Sequence, residues 1–173
     1  MDIALQPTEF FELLHQVHEF FKEKCEIWAN TDVDALWFMD DWGSQESLLI
    51  SPTAWREIFK PLYKDYIDIA HSHGKKIFMH SDGYIAEIIG DLVDLGLDAI
   101  NSQLFCMDIE ELGKRFKGKI TFWGEIDRQH LLPNGSDEDI VNAVKRVYNA
   151  LYENGGVIGQ TEFGAKGKPR NIE

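Results

Sequence analysis

The chain has 173 residues, of which 44% are hydrophobic and 27% are charged, and this composition is typical of a globular domain rather than a disordered segment. Its formal net charge of -13 makes nucleic acids and anionic membranes unfavourable partners, because binding them requires clustered lysine or arginine. The two cysteines, Cys25 and Cys106, lie far apart in the sequence, which excludes a disulfide framework and fits a reducing compartment.

The first 14 residues lack the basic and apolar regions of a secretory signal. No apolar run approaches the roughly 18 residues that a membrane span requires. We therefore expect a cytoplasmic protein that binds neither membrane nor nucleic acid.

The first half of the sequence alternates helical and strand patterns. Apolar residues at helical spacing follow Thr8 and predict a helix to about residue 29. The apolar run 34–39 predicts a strand buried on both faces, as in a parallel sheet. A long amphipathic stretch then predicts a helix from Ser51 to Gly74, in which Pro61 can introduce a kink.

The same alternation continues toward the C-terminus. The predicted elements are strand 76–79, helix 85–95, strand 99–103, helix 108–116, strand 120–123, helix 137–152 and strand 156–160. Strands joined by helical crossovers predict an α/β fold, either a doubly wound sheet or a TIM (β/α)8 barrel. Nucleotide-binding versions of the doubly wound sheet lose support, because no glycine-rich phosphate loop follows any strand.

A complete barrel takes about 250 residues, so this chain is too short for one. We expect an incomplete barrel of about five βα units, as a fragment or as a piece completed by a second chain. Residues 1–30 are predicted to form an N-terminal helix, and residues 31–173 the partial barrel, in one domain.

Every predicted strand ends in polar side chains. These residues are Asp40, Asp41, His80, Asp82, Asn101, Gln103, Glu125, Asp127, Gln160 and Glu162. Because the carboxyl ends of parallel strands meet at one face of a barrel, where barrel enzymes hold their catalytic groups, we expect a shared site. Acids and amides also cap helices and form turns, and this alternative applies to Asp41, Asn101 and Asp127.

His80 directly follows an apolar strand, so its side chain is expected at the barrel mouth, whereas the other histidines are expected to be solvated. His80 and Asp82 are two residues apart and point to the same side of the strand. With Glu162, they form a nitrogen-plus-oxygen set suited to zinc or another divalent metal, and Glu125 is a further candidate. The same groups can instead serve as general acid and base.

Large aromatic side chains accompany these polar strand ends. They are Trp42, Phe105, Trp123 and Phe163. Such rings can form the walls of a cleft for a flat organic ligand. Core packing or a subunit interface explains them equally well.

Eight segments carry a family resemblance: residues 40–45, 50–52, 59–63, 74–83, 96–101, 123–127, 155–158 and 169–172. Together they resemble the uroporphyrinogen decarboxylase superfamily. The resemblance covers about residues 30–173 and implies a TIM barrel. The superfamily includes the true uroporphyrinogen decarboxylases of porphyrin biosynthesis and cobalamin-linked methyltransferases.

The resemblance also implies which chemistry to expect. In the zinc methyltransferases the histidine strand reads His-x-Cys and the last strand carries another Cys, where this chain has His80, Asp82 and Glu162. Oxygen ligands can retain a metal but are less suited to thiol chemistry. The arginines and the aspartate that handle carboxylates in true decarboxylases have no counterpart before residue 30, and Gln160 to Gly164 replace the late histidine segment.

An acidic site would repel a substrate that carries many carboxylates, so the hypothesis favours corrinoid-linked methyl transfer of the O- or N-demethylation type. The corrinoid would be the methyl donor, and the substrate a small molecule or a corrinoid protein. The catalytic candidates are His80, Asp82, Glu125 and Asp41. The substrate-binding candidates are Gln45, Asn101, Gln103, Trp123 and Gln160.

Three alternatives remain open at this point: uroporphyrinogen decarboxylation, a catalytically inactive fragment, and a corrinoid-binding partner. An open sheet of five strands leaves strand edges exposed, and such edges promote pairing with another chain. A homodimer is therefore also expected.

Overall fold

The computed structural model describes residues 2–161 and 168–171. The helices in these residues are α1 (Asp2–Leu5), α2 (Thr8–Ala29), α3 (Pro52–Ile58), α4 (Lys60–Ser72), α5 (Ala86–Leu95), α6 (Ile109–Phe116), α7 (Leu131–Asn134) and α8 (Asp137–Leu151). The strands are β1 (Ala35–Met39), β2 (Lys76–Ser81), β3 (Ala99–Ser102), β4 (Thr121–Glu125) and β5 (Val157–Gln160). Short 3-10 helices cover Leu104–Cys106 and Pro169–Asn171.

The strands form one sheet in the order β1-β2-β3-β4-β5, so each strand lies beside its neighbours in the chain. Strands β2 to β5 pair in parallel, with His80 beside Asn101 and Asn101 beside Trp123. Sequential parallel strands connected by helices are the arrangement of a TIM barrel. The predicted α/β fold, an incomplete barrel, is confirmed over the described residues, and the strand ends differ from the predicted ones by one or two residues.

The chain divides into two compact units, the first comprising Met1–Trp37 and Ile50–Ile77 and the second Phe38–Leu49 and Phe78–Glu173. The division falls within β1 and β2. The domain boundary predicted at residue 30 stays a prediction.

In the first unit, α2 packs against α4 through a buried histidine. His18 was expected to be solvated, and this expectation is wrong, because only 5% of the residue is exposed. Its Nδ1 lies 2.9 Å from the hydroxyl of Tyr66 and its Nε2 lies 3.0 Å from Oδ2 of Asp65. With both ring nitrogens paired, the burial of His18 leaves no unsatisfied polar atom in the ring.

The helix predicted from Ser51 to Gly74 is divided in the structure into α3 and α4, with Phe59 between them. Pro61 lies in the first turn of α4, where a residue without an amide hydrogen is tolerated because no helical hydrogen bond is required there. The proline expected to kink one helix therefore marks the start of a second.

The core of the second unit includes strand residues. Met79 on β2, Ile100 on β3 and Phe122 on β4 are fully buried. The C-terminal cap of helix α5 is Gly96, which adopts a left-handed conformation with φ 89.

Among the described helices, none combines the length and the apolar content that crossing a bilayer would require.

Candidate active site

The loops that follow β1 and β2 lie against each other within the second unit. The amide of Gly43 donates to the carbonyl of Asp82 at 3.2 Å. Gly83 has φ 78, and a Cβ there would lie 2.4 Å from the carbonyl carbon of Gly43, so a larger residue does not fit. This close approach brings two acids together, and the amide of Asp82 donates to Oδ1 of Asp41 at 2.9 Å.

Asp41, His80 and Asp82 form one cluster at the ends of β1 and β2. The Nε2 atom of His80 lies 3.6 Å from Oδ1 of Asp41 and 3.6 Å from Oδ1 of Asp82. One potential ligand atom from each residue lies within 4.8 Å of the other two. Two carboxylates and one imidazole at this spacing can share a divalent cation, because zinc binds nitrogen and oxygen ligands at about 2.0 to 2.2 Å.

Asn101 determines which nitrogen of His80 faces the acids. Its Nδ2 donates to the backbone carbonyl of Trp123 at 2.9 Å, which places its Oδ1 toward His80. Nδ1 of His80 lies 2.6 Å from that Oδ1 and must donate, because the amide oxygen can only accept. In neutral His80 the lone pair is therefore on Nε2, which faces Asp41 and Asp82.

An arginine links the cluster to a third acid, Glu125. Nη2 of Arg128 donates to Oδ2 of Asp82 at 2.9 Å, and its Nε lies 3.6 Å from Oε2 of Glu125. Glu125 is 5% exposed, and its Oε2 accepts no hydrogen bond from the described residues. Burial raises the pKa of Glu125, and the charge of Arg128 opposes this shift without cancelling it.

A cleft of about 240 Å³ lies beside these groups, and Glu125 and Arg128 are part of its lining. Gln45, Gln103 and Cys106 line the same cleft. The Cys106 thiol has one hydrogen, which it can donate to Oε1 of Gln103 at 3.4 Å or to Oε1 of Gln45 at 3.6 Å. Burial, followed by the charge of Asp127, raises the pKa of the Cys106 thiol, which therefore stays protonated at neutral pH and is a poor nucleophile.

Other predicted site residues have supporting positions. Gln160 accepts a long hydrogen bond of 3.4 Å from Asn101, and the Trp123 ring packs edge-to-face on Phe78 at 6.5 Å. Asp127 forms a turn by accepting the amides of the two residues at 129 and 130, which confirms the alternative given for it. Glu162 and Phe163 lie outside the described residues.

The structure therefore brings together most of the described residues predicted for the site, and it adds Asp41 to the predicted metal ligands His80 and Asp82. Asp41, predicted as catalytic, lies beside His80 and Asp82. The prediction that Glu162 is a metal ligand stays a prediction, because Glu162 lies outside the described residues. The sequence interpretation missed Arg128. The available signal was its spacing of three residues from Glu125 in the polar segment after β4.

Comparison with known proteins places the chain in a family. The sequence profile described as Uroporphyrinogen decarboxylase (URO-D) matches residues 1–164. The chain belongs to the uroporphyrinogen decarboxylase family. Membership covers every residue of the candidate cluster and of the cleft beside it, and it supports an enzymatic role.

A solved structure of similar fold is a methyltransferase from Methanosarcina mazei, with a TM-score of 0.69 and 18% sequence identity. The similarity covers 94% of this chain and 47% of the methyltransferase, so this chain spans less than half of that protein. At this identity the likeness concerns the fold alone. No curated protein matches the chain.

Proposed function

We propose that the chain is part of a metal-dependent methyltransferase of the uroporphyrinogen decarboxylase family that takes part in O- or N-demethylation, with a corrinoid as methyl donor. The observation that carries the proposal is the orientation of His80, whose Nε2 is held toward Asp41 and Asp82 by the hydrogen bond to Asn101. A ligating histidine in proteins is commonly fixed in this way through its other nitrogen.

The chemistry of these side chains fits a divalent metal. Two carboxylates and a neutral imidazole together carry two negative charges, which balance the two positive charges of a divalent metal. Zinc also accepts nitrogen and oxygen ligands in combination. Oδ1 of Asp82 is buried and receives no hydrogen bond from the described residues, which is costly unless a cation or a proton occupies the site. Asp41, His80 and Asp82 would therefore hold the metal.

When bound, such a metal would supply Lewis acidity that lowers the pKa of an acceptor thiol or hydroxyl. Burial raises the pKa of Glu125, the direction of shift that favours a general acid or base, and Glu125 lines the same cleft. Gln45 and Gln103 offer amide groups that can orient the substrate. Oε1 of Gln103 accepts from the amide of Gly83 at 3.2 Å, and Oε1 of Gln45 lies 3.6 Å from the Cys106 thiol, so we assign the amide nitrogens of both residues to substrate contact.

Uroporphyrinogen decarboxylation receives less support from the cleft. A substrate with many carboxylates requires cationic side chains, but Arg128 is already paired with Asp82 and Glu125. Glu46 and Asp127 add further acids to the lining. Incubation of the purified chain with uroporphyrinogen, followed by chromatography of the products, separates the two functions, since decarboxylation would contradict the methyltransferase proposal.

Metal content is the first test of the proposal. We expect about one zinc per chain by inductively coupled plasma mass spectrometry after loading and desalting. His80→Ala should lose the metal, whereas His71→Ala, an exposed histidine in the first unit, should retain it. Wild-type protein without stoichiometric metal would contradict the metal-dependent version.

Catalytic activity needs a separate test, because metal binding alone does not demonstrate methyl transfer. We expect the purified chain to remove the methyl group from methylcobalamin in the presence of a small thiol, and absorbance measures this reaction. Metal binding without this reaction would instead support an inactive fragment or a corrinoid-binding partner, and binding of cobalamin would distinguish these two.

A further inference from the structure

Arg128 donates a hydrogen bond to the oxygen of Asp82 that is not the one nearest His80. Its Nη2 donates to Oδ2 of Asp82 at 2.9 Å, and its side chain is 25% exposed, which leaves the pair partly shielded from water. The residues are 46 positions apart, so the contact joins the loop after β4 to the end of β2. A second contact places Nε of Arg128 3.6 Å from Oε2 of Glu125, which is an ion pair beyond hydrogen-bond distance.

This arrangement decides which oxygen of Asp82 is presented to the cluster. Because Oδ2 is engaged by Arg128, Oδ1 is the oxygen that lies 3.6 Å from Nε2 of His80. Oδ1 is buried and accepts no hydrogen bond from the described residues. Groups that hydrogen-bond a ligating carboxylate from behind fix its orientation, and loss of such a partner typically lowers metal affinity about 10- to 100-fold.

We propose that Arg128 is a positioning residue for the divalent-cation site and that it acts by orienting Asp82, an inference that rests on the proposed function above. The guanidinium is suited to this role because its planar fork donates hydrogen bonds in fixed directions, here to Oδ2 of Asp82. A lysine at the same position would keep the positive charge but would lose the fork. Orientation and charge can therefore be separated by substitution.

The two effects of Arg128 on cation binding have opposite signs. As a nearby positive charge it repels a cation, so its removal would increase affinity if charge alone mattered. As a positioning residue it favours binding, so its replacement lowers affinity. Arg128→Lys tests orientation with the charge kept, and Arg128→Gln tests both together.

The experiment titrates Zn²⁺ and Co²⁺, each alone, into the metal-free wild-type chain and its variants by calorimetry, and records the visible spectrum of the cobalt form. We expect Arg128→Lys to lower affinity about tenfold and to change the cobalt spectrum, and Arg128→Gln to lower affinity as well. Arg115→Lys is the matched control, because Arg115 lies over the ring of Phe116 on α6, and it should bind like the wild type.

The outcomes distinguish the two proposals. Wild-type affinity in Arg128→Lys, or tighter binding by Arg128→Gln, overturns the positioning role while leaving the metal site intact. A wild-type chain that binds neither cation overturns the proposed function and this inference with it. Thermal unfolding of the metal-free variants accompanies the titrations, and a variant whose melting temperature equals that of the wild type but whose affinity is lowered supports the positioning role.

Discussion

Glu125 is a carboxyl group whose surroundings favour its protonated form. It is almost completely buried, and burial raises its pKa above the ordinary value of 4.5. As pH rises through 4.5, the unfolded chain loses this proton before the folded chain does. Stability therefore falls with increasing pH over the interval between the ordinary and the raised pKa, because the folded state binds more protons there.

Glu125→Gln should remove this loss of stability at higher pH. We expect the variant and the wild type to have similar free energies of unfolding below pH 4.5, and the variant to become the more stable protein toward neutral pH. Urea denaturation between about pH 4 and pH 8 measures the difference. A wild type that is more stable than the variant at neutral pH would contradict the expectation.

Glu110 is a control, because its pKa is shifted in the opposite direction to that of Glu125. Arg146 donates two hydrogen bonds to it, at 2.7 and 2.6 Å, and lowers its pKa to about 2. The stability that this pair contributes is present above the ordinary pKa of 4.5 and is lost as pH falls toward 2. Glu110→Gln should therefore destabilise at neutral pH, by less than about 1 kcal/mol because the pair is exposed.

At the scale of elements, α6 and α8 approach each other so closely that a glycine is required. A Cβ at Gly113 would lie 2.3 Å from the backbone carbonyl oxygen of Ala150. Gly113→Ala should therefore destabilise by about 1 to 3 kcal/mol, although alanine favours helix. Gly90→Ala on α5 is the control, because its Cβ would meet Phe116 at an ordinary 3.5 Å, and it should be neutral or stabilising in chemical denaturation.

The start of α8 depends on a reciprocal cap. The Ser136 hydroxyl accepts from the amide of Asp139, and the Asp139 carboxylate accepts from the amide of Ser136. Ser136→Ala should lower the free energy of unfolding by about 1 kcal/mol in urea, since one amide at the helix start loses its partner. Ser136→Thr keeps the hydroxyl and should lose much less. Equal losses in both variants would mean that the cap is not the cause.

The elements were predictable because each depends on neighbouring residues. Apolar runs such as 34–39 mark buried strands, and Gly96 marks the end of a helix, so patterns within a few residues were sufficient. The polar ends of the strands were predictable for the same reason. The sequence did not decide whether the helix is divided at Phe59, because Pro61 is compatible either with a kink in one helix or with the start of a second helix.

The side-chain network of the site was not predictable from the sequence. The contact of Arg128 with Asp82 and that of Asp41 with the amide of Asp82 join residues more than 40 positions apart. The buried position of His18 likewise depends on Tyr66, which lies on another helix. Such pairs follow from the register of the sheet and the packing of helices rather than from local patterns.

At the scale of the whole molecule, apolar surface is exposed on α2 although the chain is strongly acidic. Leu13, Phe20, Ile27 and Trp28 are each more than half exposed, and their spacing places them on one side of the helix. Faces of this kind mark interaction surfaces. The net charge of -13 opposes association of two copies at low salt.

The predicted homodimer should therefore depend on both salt and this face. We expect sedimentation equilibrium to detect stronger self-association in about 0.5 M than in about 0.02 M NaCl, because salt screens the repulsion. Phe20→Ser combined with Ile27→Ser should weaken it, whereas His15→Ser, at an exposed position on the opposite side of the helix, should not. A monomer at every salt concentration would refute the dimer.

The central claim is that Asp41, His80 and Asp82 hold one divalent cation. The most direct measurement is anomalous diffraction at the zinc absorption edge from crystals of the zinc-loaded chain. The account predicts a single strong peak bounded by Nε2 of His80 and the Oδ1 atoms of Asp41 and Asp82. A fully loaded crystal with its peak elsewhere, or with no peak among these three side chains, would contradict it.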